Sequence, residues 1–187
     1  MTASRTPFNL PVDHPLSAML YSHYDSPLQR GEASLEEYLD HSHSINQAIQ
    51  ENGGITVRET PGSEPLPVGG KRWYGVGGAK DIATGERYPE KVTDGGVNST
   101  LAHVLDVERG NIDRAKIGWP AAHVGGWNEG GDTVLDATSV TKTKRQAMRL
   151  GYQRGERKVF DAKNIDELDV ELDPRDVGRV KKNPGVS

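Results

Sequence analysis

The sequence predicts an α+β protein: a small antiparallel or mixed sheet, elements in the order β-α-β-β-α-β, with two packed helices and a preceding N-terminal helical segment. Three observations predict it. VNSTLAHVLDVERG and KRQAMRLGYQR each carry apolar residues at helical spacing and are closed by Gly110 and Gly155. Between them, AAHVGGW and DTVLDATSV read as two strands about the turn NEGG. Short apolar runs, KRWYGVGG and RKVFDAK, flank this central block and read as the first and last strands.

Taken in order, residues 1–12 read as an irregular arm. DHPLSAMLYSHYD follows, with Leu16, Met19, Leu20, His23 and Tyr24 at helical spacing, Asp13 as cap and Pro15 in the first turn. SLEEYLDHSHSINQAIQENGG is the best-marked helix. Ser34 and Glu37 form a capping box, Leu35, Tyr38, Leu39, Ile45 and Ile49 make its apolar stripe, and Gly53 stops it. GITVRE alternates like a short strand. TPGSEPLPVGG, with three prolines and three glycines, reads as a linker between two units.

In the second unit, a loop with Tyr88-Pro89-Glu90 leads to a helix capped by Asp94 or Asn98, with Val97, Leu101, Val104 and Leu105 on its inner face. NIDRAKIGWP reads as a loop. After the hairpin, Thr141 or Thr143 caps the second helix, whose Ala147, Met148, Leu150 and Gly151 face inward. The tail is acidic from Asp166 to Asp176, then basic at Arg179, Lys181 and Lys182, a pattern expected to stay solvated unless it orders on a partner. The expected organisation is an arm and two helices over 1–59, a linker over 60–70, an α+β domain over 71–163 and a charged tail over 164–187.

Composition bounds the function. Of 187 residues, 34% are hydrophobic and 27% charged, so the core falls well short of the whole chain. A net charge of −4 argues against a nucleic-acid coat, which needs excess cations to displace counterions. The absence of cysteine excludes disulfides, thiolate zinc sites and thiol nucleophiles. MTASRTPFNLPVDHP lacks the apolar run of a signal peptide, and no stretch approaches the ~18 apolar residues of a membrane span. A soluble protein of the cytosol is expected.

Several residues invite chemistry. Asp136, in phase with Asp132 and Val134, could act as a general base or metal ligand, although a lone strand aspartate more often bonds a neighbouring loop. Asp161-Ala162-Lys163, with Asp136 upstream, has the carboxylates and lysine of a metal-dependent nuclease, but a helix separates the two motifs. Trp127, beside the turn, could stack on a partner or lid the core edge. Gly75-Val76-Gly77-Gly78-Ala79-Lys80 follows a strand yet matches no phosphate-loop spacing and precedes no helix, so it reads as a turn. His41 with Glu37 makes at most a two-ligand metal pair, short of what zinc needs, and His43 points elsewhere. His103 and His123 read as buried or bonded imidazoles. Ser44, Ser99 and Ser139 lack a nucleophile elbow. Lys142, Lys144, Arg145, Arg149, Arg154, Arg157 and Lys158 form a basic run with one acid, Glu156. Lys144 and Arg145 in the first helical turn oppose the helix dipole, which favours an anionic partner slightly over a bare solvated face.

Gly125-Gly126-Trp127, the turn, Val134-Leu135-Asp136, Ala147…Leu150-Gly151 and Val159-Phe160-Asp161 together give the pattern GGW, (V/Y)LD, A…LG, (I/V)(W/F)D. Across 72–163 this resembles a small α+β domain of actinobacteriophage and mobile-element proteins, found alone or attached to virion-associated proteins. The resemblance covers about half the chain and implies an origin, with no particular activity.

The function expected is a non-enzymatic bacteriophage accessory protein, made in the host cytoplasm and incorporated in the virion. Its termini would dock on other virion subunits or on a second copy of the chain, with Trp127 and the cations Lys142, Lys144, Arg145, Arg149 and Arg154 as contacts, and without metal or cofactor. Nucleic acid and membrane are not expected partners. The alternative is a small hydrolase or group transferase using Asp136, Asp161, His123 and Arg72 around Trp127, which requires both aspartates on one face of the sheet. A third possibility is an inhibitor that binds DNA or a host factor through the 142–158 basic face.

Overall fold

A computed structural model describes residues 27–28, 30–79, 91–93, 95–116, 118 and 120–182. The helix expected over 13–24, the Tyr88-Pro89-Glu90 loop and the Asp94 cap lie outside the described residues. Three helices are described: α1 (Leu35–Asn52), α2 (Val97–Lys116) and α3 (Lys144–Arg154). The strands are β1 (Gly54–Val57), β2 (Tyr74–Val76), β3 (Lys91–Thr93), β4 (Ala122–Glu129), β5 (Asp132–Thr141), β6 (Lys158–Asp161) and β7 (Asp166–Asp169).

The class is α+β, and all seven strands join one sheet in the order β1-β4-β5-β2-β6-β7, with β3 beside β5. Every pairing is antiparallel. β5 is the spine. β4 runs along one side of it, and β3 and β2 share the other, pairing with 133–135 and 139–141.

The local signals work as physical chemistry requires. The Ser34 amide donates to Glu37 Oε2 at 2.7 Å, and the Glu37 amide donates to Ser34 Oγ at 3.2 Å, closing the capping box. Gly53 ends α1 at φ 78°, and Gly155 ends α3 at φ 74°. Of the two threonines considered, Thr143 caps α3, its hydroxyl accepting from the Gln146 amide. The loop expected at NIDRAKIGWP instead continues α2 past the buried Gly110 as far as Lys116. Tertiary bonds hold this last turn: the Asn111 side chain donates to the Ala122 carbonyl at 2.8 Å and accepts from the Ala122 amide at 2.7 Å.

Antiparallel partners share a face, so the pairing registers sort the sheet. Leu135, Ala137, Ser139, Val124, Val57, Val76, Val159 and Asp161 project to one side. All three helices pack there. α1 and α2 bury Ile45, Ile49, Leu101 and Val104 against Val57, Val124, Leu135 and Ala137, and α3 closes a smaller cluster of Val76, Ala147, Met148 and Val159. Among the described residues, no helix is long and apolar enough to cross a membrane.

Two expected boundaries dissolve. β1 pairs with β4, so the strand that follows α1 and the hairpin belong to one sheet, and the 60–70 segment links its strands. That segment is a strap. The Leu66 amide donates to Thr56 on the edge strand β1, and the Gly69 and Gly70 amides donate to the Ala162 and Lys163 carbonyls beyond β6. The Trp73 indole packs on Phe160 (centroids 5.6 Å apart) and donates to the Pro67 carbonyl, placing the strap on the face opposite the helices. Its prolines and glycines suit a path that makes few ladder bonds.

Residues 164–182 of the tail, expected to need a partner, order on their own domain. β7 extends the sheet, Val170 reaches α3 at Gly151, and Val180 is buried. Asp176 is buried under the guanidinium of Arg145, with bonds of 2.8 Å to each of its oxygens.

A test of the packing lies at Gly126, where a β-carbon would sit 2.6 Å from Ile49 Cδ1 and 3.2 Å from Leu135 Cδ2. Gly126→Ala is expected to cost about 1–2 kcal/mol in denaturant unfolding through overpacking. Ile49→Val removes the opposing methyl, so the double variant should lose less than the sum of the two single losses.

Candidate functional site

One end of the sheet brings together residues drawn from three strands and two turns. Tyr74 at the start of β2 pairs with Thr141 of β5 on one side and Asp161 of β6 on the other. These three residues share the helix-covered face. The chain leaving β5 turns through Lys142 and Thr143 into α3, which carries Lys144 over the same strand ends. Arg72 enters just before β2, and the β6–β7 turn adds Lys163 and Asn164. The result is a cleft of about 370 Å³ lined by Arg72, Tyr74, Lys142, Thr143, Lys144, Asp161, Lys163 and Asn164.

Its charge is lopsided. Arg72, Lys142, Lys144 and Lys163 supply four positive charges, and none of them forms an ion pair among the described residues. Among the described lining residues Asp161 is the single carboxylate, which leaves a net of +3. That carboxylate is buried and engaged, accepting from the Lys163 amide at 3.0 Å and from Asn164 Nδ2 at 2.7 Å. Asp161 therefore shapes the turn that presents Lys163 and Asn164. The strap holds the same turn from outside through the Gly69 and Gly70 amides. Ile165, next along, stands at φ 54° with a β-branched side chain that is 61% exposed, a strained conformation maintained by this network.

The sequence candidates separate into those that converge and those that do not. Arg72 and Asp161, considered for catalysis, meet Lys142 and Lys144, considered for binding. Asp136 and His123 do not join them. Asp136 pairs with Gly125 on the face opposite Leu135 and Asp161, and His123 pairs with Thr138 on that same far face. The sheet itself separates the two aspartates, so the catalytic grouping of Asp136, Asp161, His123 and Arg72 fails, and with it the two-carboxylate nuclease site. Asp136 instead accepts from the Gly78 amide, 3.1 Å from each oxygen, so the protein's own carboxylate occupies the GVGG loop. Trp127 also points to the far face, half-buried, its indole 3.4 Å from Glu129 Oε2. Its partner Val134 lies seven residues from Thr141 along β5, roughly 24 Å from the cleft.

The basic run also divides. Arg145 is committed to Asp176, which Arg149 approaches at 3.9 Å. Arg154 donates to the Val76 and Gly77 carbonyls and to Ser139 Oγ, bracing α3 on the sheet. Lys158 pairs with Glu167 at 2.8 Å. These cations hold the fold together in cis. The His41–Glu37 metal pair dissolves as well: Glu37 serves the cap, and His41 Nε2 donates to the Arg58 carbonyl at 2.9 Å. Among the described residues, no group of three or more His, Asp or Glu side chains is placed to hold a metal ion.

Sequence reasoning did not single out Tyr74, Thr143 or Asn164 as site residues, and weighed Lys163 only as a nuclease lysine. Their shared signal is position: each lies at or just beyond a strand end that the topology gathers at one corner. No protein family, no curated protein and no solved structure matches the chain.

Both histidines nearest Arg58 are held toward the neutral form. Burial lowers the His123 pKa and Arg58 lowers it further, with Glu59 opposing. Burial likewise lowers that of His41, against the Arg58 carbonyl and Glu59. The unfolded chain therefore binds protons near pH 6.5 that the native state refuses. Stability should be full above that pH and fall as the pH drops toward the native values. In denaturant unfolding between pH 7 and 5, His123→Gln should reduce the pH slope by up to about one proton.

Proposed function

We propose that this chain is a non-enzymatic accessory protein of the bacteriophage class its motif resembles, acting by binding an anionic partner through the cationic cleft. The observation that carries this is a contrast: the groups suited to acid–base chemistry are divided by the sheet, while four cations that form no ion pair among the described residues converge on one concavity. Convergence of like charges is what an anion-binding surface needs and what a self-contained fold avoids.

The virion role is proposed on the resemblance alone. The contact surface moves relative to the sequence expectation. Residues 164–182 are folded back on the domain, so the cleft rather than the tail is the better docking element.

In particles purified from cells carrying the gene, the protein should be detected by mass spectrometry at constant stoichiometry. Lys142→Gln/Lys144→Gln, which changes only exposed side chains, should lower that association about tenfold while leaving the unfolding midpoint in place. Absence of the wild-type chain from washed particles would exclude the virion role. Undiminished association of the double variant would exclude the cleft as the contact.

A further inference from the structure

We infer that the anion the cleft recognises is a diphosphate group carried by a small molecule. This rests on the anion-binding role proposed above and concerns the identity of the anion. Charge gives the first reason. The cleft holds a net +3 within a chain of net −4. A phosphomonoester carries about −1.5 to −2 and leaves that charge partly unmatched, whereas two linked phosphates balance it.

Donor chemistry gives the second. Three of the four cations are lysines, compact charges whose three donors can rotate to meet phosphate oxygens from several directions. Carboxylate recognition draws on paired guanidinium forks, and only Arg72 offers one. The opening turn of α3, behind Thr143, adds the positive end of an 11-residue helix to the same side.

Extent gives the third. At about 370 Å³ the cleft is near the lower end of the ~300–1,000 Å³ range of small-molecule pockets. A nucleic-acid strand would need a basic track continuing beyond it. Two cations of the basic run, Arg145 and Lys158, are paired with Asp176 and Glu167 and so are withdrawn from such a track. The concavity itself is on the scale of one compact ligand. The turn bearing Lys163 and Asn164 is fixed by Asp161 and by the strap before any ligand arrives, which limits the ordering cost of binding.

Calorimetry and thermal unfolding of the full chain at low salt test this, with inorganic pyrophosphate as the main probe. Adenosine diphosphate, inorganic phosphate, poly-glutamate and a single-stranded oligonucleotide serve as comparison arms. Pyrophosphate and adenosine diphosphate should each saturate one site and raise the unfolding midpoint, with inorganic phosphate binding about tenfold more weakly. Arg72→Gln, Lys144→Gln and Lys163→Gln should each weaken pyrophosphate about tenfold, while Arg179→Gln, outside the cleft, should not. Failure of pyrophosphate to saturate, or equal binding by wild type and Lys144→Gln, would overturn the inference. Poly-glutamate binding that the cleft variants abolish, without pyrophosphate binding, would overturn the diphosphate assignment and leave the anion role standing. Tight oligonucleotide binding that pyrophosphate cannot displace would overturn the small-molecule assignment. No binding in any arm would overturn both.

Discussion

The register of the sheet is set at the Gly130-Gly131 turn, whose φ angles of 62° and 99° join β4 to β5 through a two-residue loop. Positive φ at both positions is what a tight hairpin with matching strand twist demands, and glycine meets it without strain. Once Glu129 faces Asp132, the partners of the next seven pairs follow. Leu135 and Ala137 must face the helices, and Asp136 and Thr138 must face away. A slip of one residue would exchange the two sets and put a carboxylate into the core. Because β5 also carries β2 and β3, its register passes to β6 through β2, and so to the corner where the cleft forms.

The same register explains why Asp136 is structural. A β-carbon at Gly77 would lie 2.0 Å from Asp136 Oδ2, so glycine at that position leaves the space the carboxylate occupies to reach the Gly78 amide. The carboxylate satisfies a backbone donor just beyond the end of β2, and the Ala79 amide next along still donates to the Ala137 carbonyl of β5. The remaining charge pairs work similarly. Arg145–Asp176 and Lys158–Glu167 tie an acidic tail to a basic helix and strand, and Arg154 ties that helix to the sheet. Opposite charges that look like two docking surfaces in sequence are two halves of one intramolecular contact.

Local chemistry was legible in the sequence. The Ser34–Glu37 box, the glycine stops at Gly53 and Gly155, the α3 cap and the hairpin each depend on residues within a few positions of one another, and each formed, with Thr143 and not Thr141 as the cap and only Gly130-Gly131 of NEGG left in the turn. What depended on distant partners was not legible. GITVRE alternates as a strand should, but its place at the edge of the sheet depends on β4. Gly110 stops no helix because Asn111 finds its partner at Ala122. The tail is too polar to fold alone, but Val170, Asp176 and Val180 reach a surface already built. The cleft was legible in part. Arg72, Asp161, Lys142 and Lys144 drew attention on separate grounds, and only the pairing of Tyr74 with both Thr141 and Asp161 brings them to one place.

The cations of the cleft stand out against this economy of pairing. Lys144 and Arg145 both oppose the dipole of α3 at its first turn, where an acidic residue would gain about 0.3–1 kcal/mol. Arg145 recovers that loss through Asp176. Lys144 has no such partner among the described residues, and it shares its cleft with three more cations in the same condition. The nearest carboxylate, Asp161, is turned toward the Lys163 amide and the Asn164 side chain. Nothing in the hairpin, the cores or the strap requires positive charge at Arg72, Lys142, Lys144 or Lys163, since all four side chains are exposed. Their mutual repulsion is a small cost concentrated at one corner of the fold. An anion seated among them would remove it, which makes the corner the place where the physical chemistry of this chain remains open to a partner.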